Sequence, residues 1–267
     1  MPVLLPCPKC GYTRAWKLRR SARRCKQCRK EWVPHPHALL PGYACTNEEW
    51  RSICDAFLVH GTILAAARTC SLAYATSQKA VLLLRAMMAL DIPSLLTGTC
   101  EVDETYIGGA WRNKAIHIRK RGTKRGRGTQ KQAIFGIVSR NLRQVRTWLV
   151  PNTKRETLFP IIEETIPRGS TIYTDGASVY RALPSLGYHH DWVDHDADEY
   201  VREGVHTQTI DGFWGYLKNR LAKTGGMQKE RAHLFVGEHQ WRYNHRKLTH
   251  EERVARLLER IRFGGWD

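Results

Sequence analysis

Two aspartates of this 267-residue chain lie where a strand and a helix would present a carboxylate for chemistry. The alternating apolar run of residues 170–173 predicts a buried strand, and Asp175 stands at its end beside a turn at Gly176. Asp211 and Lys218 lie seven residues apart on one face of a predicted helix. The apolar face of that helix consists of Ile210, Phe213, Trp214, Leu217 and Leu221. Because most exposed aspartates are only solvated, the interpretation of Asp211 depends on its partners.

Four cysteines near the start of the chain form two CxxC pairs. They are Cys7, Cys10, Cys25 and Cys28, with 14 residues between the pairs. This spacing is typical of a tetrahedral zinc site, because each CxxC turn presents two sulfurs to one ion. The neighbouring residues are basic and strand-like, so residues 1–36 are predicted to form a zinc ribbon that needs one structural zinc ion to hold its small core. Contact of this ribbon with nucleic acid and a purely scaffolding role both remain open.

The overall charge favours a polyanionic partner. The chain has 43 Lys and Arg against 25 Asp and Glu, a formal charge of +18. Nucleic acid is the leading partner, and the alternative is a basic protein kept soluble by its charge. The sequence has no apolar run long enough to span a bilayer and no signal-peptide pattern. We therefore expect a cytoplasmic, nucleoid-associated protein with no membrane partner.

Residues 43–92 have the pattern of a helix-turn-helix module. Thr46 and Glu49 predict a capped helix start, and Gly61 ends that helix. Two further helices follow, and a helix, a short turn and a helix with alanines at the contact are typical of DNA-binding modules. The first residues of the predicted recognition helix are Thr76, Ser77, Gln78 and Lys79. The alternative is a three-helix packing module without sequence specificity, and the basic charge favours DNA.

Residues 98–250 predict an α/β domain. Residues 100–107 alternate as a strand with Asp103 and Thr105 on one face. Two more strands, a capped helix over 153–166, the strand that precedes Asp175, a possible fifth strand over 188–193 and the helix of Asp211 follow in that order. This order is that of an RNase H-like fold, with a mixed sheet flanked by helices. Residues 251–267 are predicted to form a C-terminal helical tail.

A basic segment and a polar segment interrupt this domain. Residues 112–131 contain nine Lys or Arg and no acid, so they predict a flexible loop that is either merely solvated or, because it follows the strand of Asp103, contacts phosphates. The phosphate-contacting candidates are Arg119, Lys120, Arg121, Lys124 and Arg125. Residues 189–199 are rich in His and acidic groups, but their spacing fits no metal-ligand template and favours a polar loop.

Four segments together resemble one protein family. They are EVDETYIGG at 101–109, TDGASVY at 174–180, HTQTIDGFWGYLK at 206–218 and WRYNHR at 241–246. In this order, with 35 residues between Asp175 and Asp211, they resemble the DDE transposases of bacterial insertion sequences, in the branch related to eukaryotic Merlin elements. An N-terminal zinc ribbon is also typical of that branch.

The resemblance implies DNA strand cleavage and strand transfer with two Mg²⁺ (or Mn²⁺) ions held by Asp103, Asp175 and Asp211. Such ions need hard oxygen ligands, because one activates the attacking oxygen and the other stabilises the leaving oxygen. By the same resemblance Lys218 holds transposon-end DNA. The implied partners are double-stranded DNA, both terminal repeats and target, and a second copy of the chain on that DNA, as a homodimer or a higher assembly.

The sequence departs from the family pattern at two positions. Asp211 stands where the family generally has Glu, and Gln208 stands where it has Asn, so the third ligand arm is one methylene shorter. Gln208 and His206 compete with Asp211 for the third ligand position, and Asp211 is preferred because divalent ions favour carboxylates. Two hypotheses follow: an active transposase, which the intact Asp103 and Asp175 favour, and a transposase-derived DNA-binding protein with weak or lost catalysis.

Overall fold

The computed structural model describes residues 7, 9–18, 22–32, 45–108, 116, 131–193, 205–223 and 229–263. Residues 1–87 with 249–267 form one compact unit, and residues 88–248 form a second. The five basic candidates of the loop over 112–131 and the polar residues 194–199 lie outside the described residues. In the part of the chain that is described, every helix is too short or too polar to cross a membrane.

The N-terminal segment forms the small sheet that its strand-like pattern predicts. Strands β1 (Ala15–Lys17), β2 (Arg23–Cys25) and β3 (Glu31–Trp32) are antiparallel in that order. Arg24 on β2 and Glu31 on β3 form an exposed ion pair. With only these short strands, the segment has too few residues to bury a core of its own. This agrees with the prediction that the ribbon needs a metal ion to fold.

Three helices follow, and their ends are set by local signals. Helix α1 (Asn47–His60) begins at a complete capping box between Thr46 and Glu49, as predicted, and ends at Gly61, whose φ of 71° is left-handed. Helices α2 (Ile63–Thr69) and α3 (Tyr74–Leu90) come after short connections. The buried face of α1 includes Trp50 and Phe57.

The C-terminal helix belongs to the same unit as α1. It spans His250–Phe263 and is named α7, because three helices of the second unit precede it. The sequence pattern separates residues 251–267 as a tail, whereas in the structure α7 packs against α1. Two exposed contacts accompany this packing, from Arg51 to Glu251 and from His250 to Asp55, each 2.5 Å. Surface pairs of this kind contribute little to stability, so the apolar contact of the helices accounts for the docking.

The second unit is built on a five-stranded sheet. Its strands are β4 (Thr99–Ile107), β5 (Gln132–Ser139), β6 (Gln144–Val150), β7 (Thr171–Thr174) and β8 (His189–Trp192). The spatial order is β6-β5-β4-β7-β8, with β4 antiparallel to β5 and parallel to β7. This is the mixed α/β sheet of the RNase H-like fold, so the predicted fold class is confirmed.

The helices of this unit cover both faces of the sheet. Helix α4 (Arg155–Thr165) and a 3-10 segment (Ser178–Leu186) pack on one face, with Leu158 and Tyr180 in that core. Helices α5 (Gln208–Ala222) and α6 (Ala232–Asn244) pack on the other, with Phe213 and Val236 in the second core. The strands are therefore buried on both sides, which explains the long apolar runs of β5.

The predicted cap of α4 is wrong in detail. The helix begins at Arg155, and its N-cap residue Lys154 makes no side-chain hydrogen bond to the first turn. Asn152 takes the role instead, since its Oδ1 accepts from the backbone N–H of Lys154 at 3.0 Å and from the hydroxyl of Thr157 at 2.8 Å. An Asn two residues before the cap satisfies donors that a Ser or Thr would otherwise bind.

Part of the WRYNHR segment closes an edge of the sheet. Asn244 on α6 accepts from the backbone N–H of Val145 at 2.8 Å and donates to its carbonyl at 2.9 Å. Gln240 accepts from the backbone N–H of Thr147 at 2.8 Å. Two side chains therefore form hydrogen bonds with the backbone of the edge strand β6. Without them, these N–H and C=O groups would be available for pairing with another strand.

Candidate active site and metal centres

One group of acids in the second unit lies where β7 ends beside the middle of the neighbouring parallel strand β4. Asp103 is the central residue of β4, two residues beyond the last register pair of β4 with β7, and Asp175 directly follows β7. Carboxylate oxygens of Asp103, Asp175 and also Glu104 all lie within 4.8 Å of one another. The turn at Gly176, with a φ of 76°, and a hydrogen bond of 3.1 Å from the Ala177 N–H hold the Asp175 carboxylate at this edge.

Glu104 was missed by sequence reasoning. Alternation along β4 assigned only Asp103 and Thr105 to the face of the site, and Glu104 belongs to the other face. Its Oε1 accepts a hydrogen bond of 2.8 Å from the hydroxyl of Tyr180, a residue of the 3-10 segment that is completely buried in the core shared with α4. Burial raises the pKa of Tyr180 well above its usual value, so its phenol remains a neutral donor that orients Glu104. The signal available in the sequence was only that Glu104 adjoins Asp103.

The carboxyl group of Asp103 has a strongly raised pKa. Burial, and then the negative charges of Glu104 and Asp175, raise its pKa from 3.8 to about 8, and Asp211 adds a smaller effect in the same direction. Its Oδ2 accepts a hydrogen bond of 2.8 Å from the indole Nε1 of Trp214. A carboxyl group that is desolvated and surrounded by like charge needs a proton or a cation to be stable, so this site favours binding of a positive ion.

Trp214 reaches Asp103 because the facing strand has no side chain at the crossing point. Gly136 on β5 is the register partner of Asp103. A Cβ atom at Gly136 would lie 2.6 Å from the indole carbons of Trp214, closer than any real contact. The glycine therefore lets α5 pack closely against the strands, and that packing brings the helix to the carboxylates.

Asp211 lies in the first turn of α5, three residues before Trp214, so both residues are on the side of the helix that faces Asp103. It is exposed, its Oδ2 accepts from the hydroxyl of Thr207 at 3.3 Å, and its charge raises the pKa of Asp103. Among the described residues, however, the group within 4.8 Å contains Glu104 and does not contain Asp211. The structure thus brings two predicted ligands together and places the third on the opposing helix.

The other predicted site residues in or before α5 differ in their exposure and in the groups that they contact. Lys218 is exposed two turns beyond Asp211, and Gln208 is exposed at the first residue of α5. His206 lies before the helix, where its Nδ1 is 3.6 Å from the buried carboxylate of Glu101. Of the two competitors for the third ligand, His206 therefore faces a different carboxylate from those of the candidate site.

The four cysteines of the N-terminal sheet converge as their spacing predicts. The sulfurs of Cys7 and Cys28 are 3.5 Å apart, and those of Cys10 and Cys25 are 3.6 Å apart. Sulfurs on a tetrahedral zinc ion with bonds of about 2.3 Å are about 3.8 Å apart, so the donor set and its size fit zinc. Burial raises the pKa of Cys25, but the backbone N–H groups of Cys28 and Gln27 outweigh it and lower the pKa to about 7. The thiolate is thereby favoured at Cys25, whereas at Cys10 the effect of the Tyr12 backbone N–H is outweighed by burial and the neighbouring sulfurs, which raise the pKa of Cys10 to about 12.

The structure corrects one residue of the predicted recognition helix. Ser77 is completely buried, so it cannot contact DNA from this conformation. The reason is periodicity, since Ser77 shares the inward face of α3 with Ala80 and Val81, which are also buried. Lys79 is exposed, and Thr76 and Gln78 are half-buried.

Comparisons with known proteins point to one family. Residues 95–244 match the ISXO2-like transposase domain. The chain is 30% identical over 115 residues to an uncharacterized transposase-like protein of Haemophilus influenzae, a match that covers 43% of this chain and 93% of that protein.

Two solved structures are similar at lower identity. The catalytic core domain of BIV integrase is 14% identical, with a TM-score of 0.33 over 52% of this chain and 80% of that one. The simian T-cell lymphotropic virus intasome is 12% identical, with a TM-score of 0.36 over 71% of this chain and 67% of that one.

Proposed function

The chain belongs to the ISXO2-like transposase family, and on this basis we propose that it binds the ends of a mobile DNA element and cuts and joins DNA strands there. The observation that carries the proposal is the convergence of Asp103, Glu104 and Asp175 where β7 ends beside the middle of the parallel strand β4. Three carboxylates so close together repel each other, and burial together with that repulsion raises the pKa of Asp103. Such an arrangement is stable when cations are bound, and buried acids in this state are typical of catalytic sites.

Mg²⁺ or Mn²⁺ fits the donor set, because hard divalent cations prefer carboxylate oxygens. Asp103, Asp175 and Asp211 would hold the ions, with Glu104 as an additional ligand. The bound ions would supply activation of the attacking oxygen and stabilisation of the leaving oxygen. Tyr180 orients Glu104, and Trp214 orients Asp103 through the hydrogen bonds described above.

DNA is held by groups outside the carboxylate site. Lys218, exposed on α5 two turns from Asp211, is proposed to contact a phosphate of the element end. Thr76, Gln78 and Lys79 on α3 are proposed to contact the terminal repeat, and the basic residues of 112–131 to neutralise phosphates without sequence preference. Action on two element ends at once requires a dimer or a higher assembly on DNA. The protein would act where the DNA of the element lies, which in a bacterium is the nucleoid in the cytoplasm.

The zinc ribbon is proposed to hold one structural zinc ion through its four cysteines. No position of this tetrathiolate site remains for substrate, because all four ligands come from the chain. Its proposed role is therefore to fold the small N-terminal sheet.

A strand-nicking assay tests the proposal. Labelled duplexes that carry the DNA flanking the gene on either side are incubated with the full chain and Mn²⁺, and we expect nicks at defined positions. Asp103→Asn and Asp175→Asn should abolish nicking but retain binding of the same duplexes, and chelation of Mn²⁺ should have the same effect. Asp191→Asn, a change in an acid on β8, is the matched control and should nick normally. Binding without nicking by the wild-type chain would instead favour a transposase-derived DNA-binding protein.

A further inference from the structure

A completely buried carboxylate links the strand of Asp103 to the helix of Asp211. Glu101 lies on β4, two residues before Asp103 and on the same face, and its side chain has no exposed surface. Its Oε2 accepts a hydrogen bond of 2.9 Å from the backbone N–H of Ile210. Ile210 is the third residue of α5 and directly precedes Asp211. One side chain thus joins positions that are adjacent to both acids.

Arg140 completes this link. Its Nε donates to Oε1 of Glu101 at 2.6 Å, and its Nη2 donates to the backbone carbonyl of His206 at 2.7 Å, just before α5. The guanidinium also lies 4.7 Å from the ring centre of Tyr173 on β7. Arg140 therefore contacts the strand of Asp103, the start of the helix of Asp211 and the strand that leads to Asp175.

Physical chemistry explains why the link is rigid. A buried carboxylate is very costly unless both oxygens are satisfied, and here a guanidinium and a helix amide satisfy one each. The first turn of a helix has N–H groups without intrahelical partners and a partial positive charge, so a carboxylate at that position is favoured. The planar guanidinium fork fixes geometry better than a flexible ammonium group.

We infer that Glu101 and Arg140 are positioning residues that set the separation between Asp103 and the opposing Asp211, and that they thereby tune cation binding at the carboxylate site. The inference rests on the proposed function for its consequence in catalysis. Both residues act through the backbone of α5 and have no contact with the reacting atoms. Asp211 is not part of the group of carboxylates that lie within 4.8 Å of one another. The placement of α5 therefore decides how far the Asp211 side chain must reach to share a cation with that group.

Glu101→Gln is the direct test. Glutamine has one acceptor oxygen where glutamate has two, so either Ile210 or Arg140 must face its NH₂ group, and one contact is lost. We expect the half-saturating Mn²⁺ concentration to rise about tenfold, because loss of a residue that supports the metal ligands weakens metal affinity by about this factor. It is measured without DNA from the electron paramagnetic resonance signal of free Mn²⁺. The cleavage rate at saturating DNA should fall about 100-fold, the cost of a small misplacement, with DNA affinity unchanged. Amide hydrogen exchange should accelerate at Ile210 and Asp211.

Arg140→Lys is the second variant, because it keeps the positive charge that balances Glu101. The Arg140 side chain is 23% exposed, so a lysine can be accommodated at this position. It loses the fork that reaches His206, so it should shift Mn²⁺ affinity in the same direction, and it decides the matter if Glu101→Gln does not fold. Glu163→Gln, which breaks the exposed pair of Glu163 with Arg168, is the control for removing a glutamate charge from this unit.

The outcomes separate the inference from the proposed function. If the wild-type chain binds Mn²⁺ but cuts no DNA, the proposed function fails, and the Mn²⁺ and exchange measurements still decide the inference. A folded Glu101→Gln or Arg140→Lys variant with the Mn²⁺ affinity of the wild-type chain overturns the inference. The inference also fails if Glu163→Gln shifts Mn²⁺ affinity as much as Glu101→Gln does.

Discussion

The indole of Trp214 and the carboxyl group of Asp103 are joined by a hydrogen bond of 2.8 Å across 111 residues of sequence. The bond ties helix α5 to the central strand β4 at the point where the carboxylates converge. It depends on Gly136, whose missing side chain gives the indole its place. A residue of the apolar helix face therefore also serves the site, which helical periodicity alone does not indicate.

Trp214→Phe should weaken both the fold and the site. The ring can still pack, but the buried carboxyl group of Asp103 loses its donor, which costs about 1–3 kcal/mol of unfolding free energy. Denaturant unfolding of the wild-type chain and of Trp214→Phe measures this difference in unfolding free energy. Trp148→Phe, on the opposite face of the sheet beside Phe135, is the matched control. An equal loss in both variants would show that ring volume, and not the bond to Asp103, is responsible.

The third ligand is tested by changes at Asp211 and Gln208. Asp211→Asn should abolish metal-dependent cleavage while DNA binding is retained, because an amide is a poorer ligand for a hard cation. Asp211→Glu should preserve or raise cleavage, since the longer arm reaches toward a group that Asp211 does not join within 4.8 Å. Gln208→Ala should have much less effect. Wild-type cleavage by Asp211→Asn together with a dead Gln208→Ala variant would contradict the assignment.

Stability of the metal-free chain should depend on pH through Asp103. Burial and then the neighbouring charges raise the pKa of Asp103 from its ordinary value of 3.8 to about 8 in the fold. The folded state thus holds a proton that the unfolded state releases, so this group's contribution is fully present below about pH 3.8 and is lost as the pH rises through about 8.

The measurement is the free energy of unfolding between pH 5 and 9 for wild type and Asp103→Asn. The wild-type chain should lose more stability than the variant over this range, and added Mn²⁺ should restore it at high pH. Parallel pH profiles of the two chains would show that the pKa of Asp103 is not raised.

The N-terminal sheet should require zinc. Protein purified without chelator should contain one zinc ion per chain, and Cys25→Ser should lose it, because Cys25 is the buried thiol whose pKa is lowered to about 7. Metal analysis by mass spectrometry measures the content. Cys70→Ser, a change outside the four-sulfur group, should retain the ion. Zinc retained undiminished by Cys25→Ser would refute the site.

DNA recognition by α3 is tested with two neighbouring residues of opposite exposure. Lys79→Ala should weaken DNA binding and reduce the slope of log affinity against log salt by about 1, because one phosphate contact is lost. Ser77→Ala, a change in a buried side chain, should leave both unchanged. Fluorescence anisotropy over a salt series measures affinity and slope. If Ser77→Ala weakens binding and Lys79→Ala does not, a different face of the helix contacts DNA.

The sequence alone determined the features that depend on local pattern. The CxxC spacing places four thiols on two tight turns, and alternation or helical periodicity sets which residues of each element are apolar. The capping box of Thr46 and Glu49 and the end of α1 at Gly61 follow from neighbouring residues in the same way. Asp103 and Asp175 were accessible because an acid within or directly after a strand is visible in a single segment.

Only the tertiary structure decided which distant groups meet. Glu104 joins the site because Tyr180 holds it, and Glu101 reaches α5 through a bond that spans 109 residues. Ser77 was misplaced because a helix pattern gives the faces of α3 but not the neighbours that cover one of them. The distance between Asp211 and the other acids likewise depends on how closely α5 packs on Gly136 and Asp103. Those contacts arise from the packing of a whole helix on a whole sheet, which no single segment encodes.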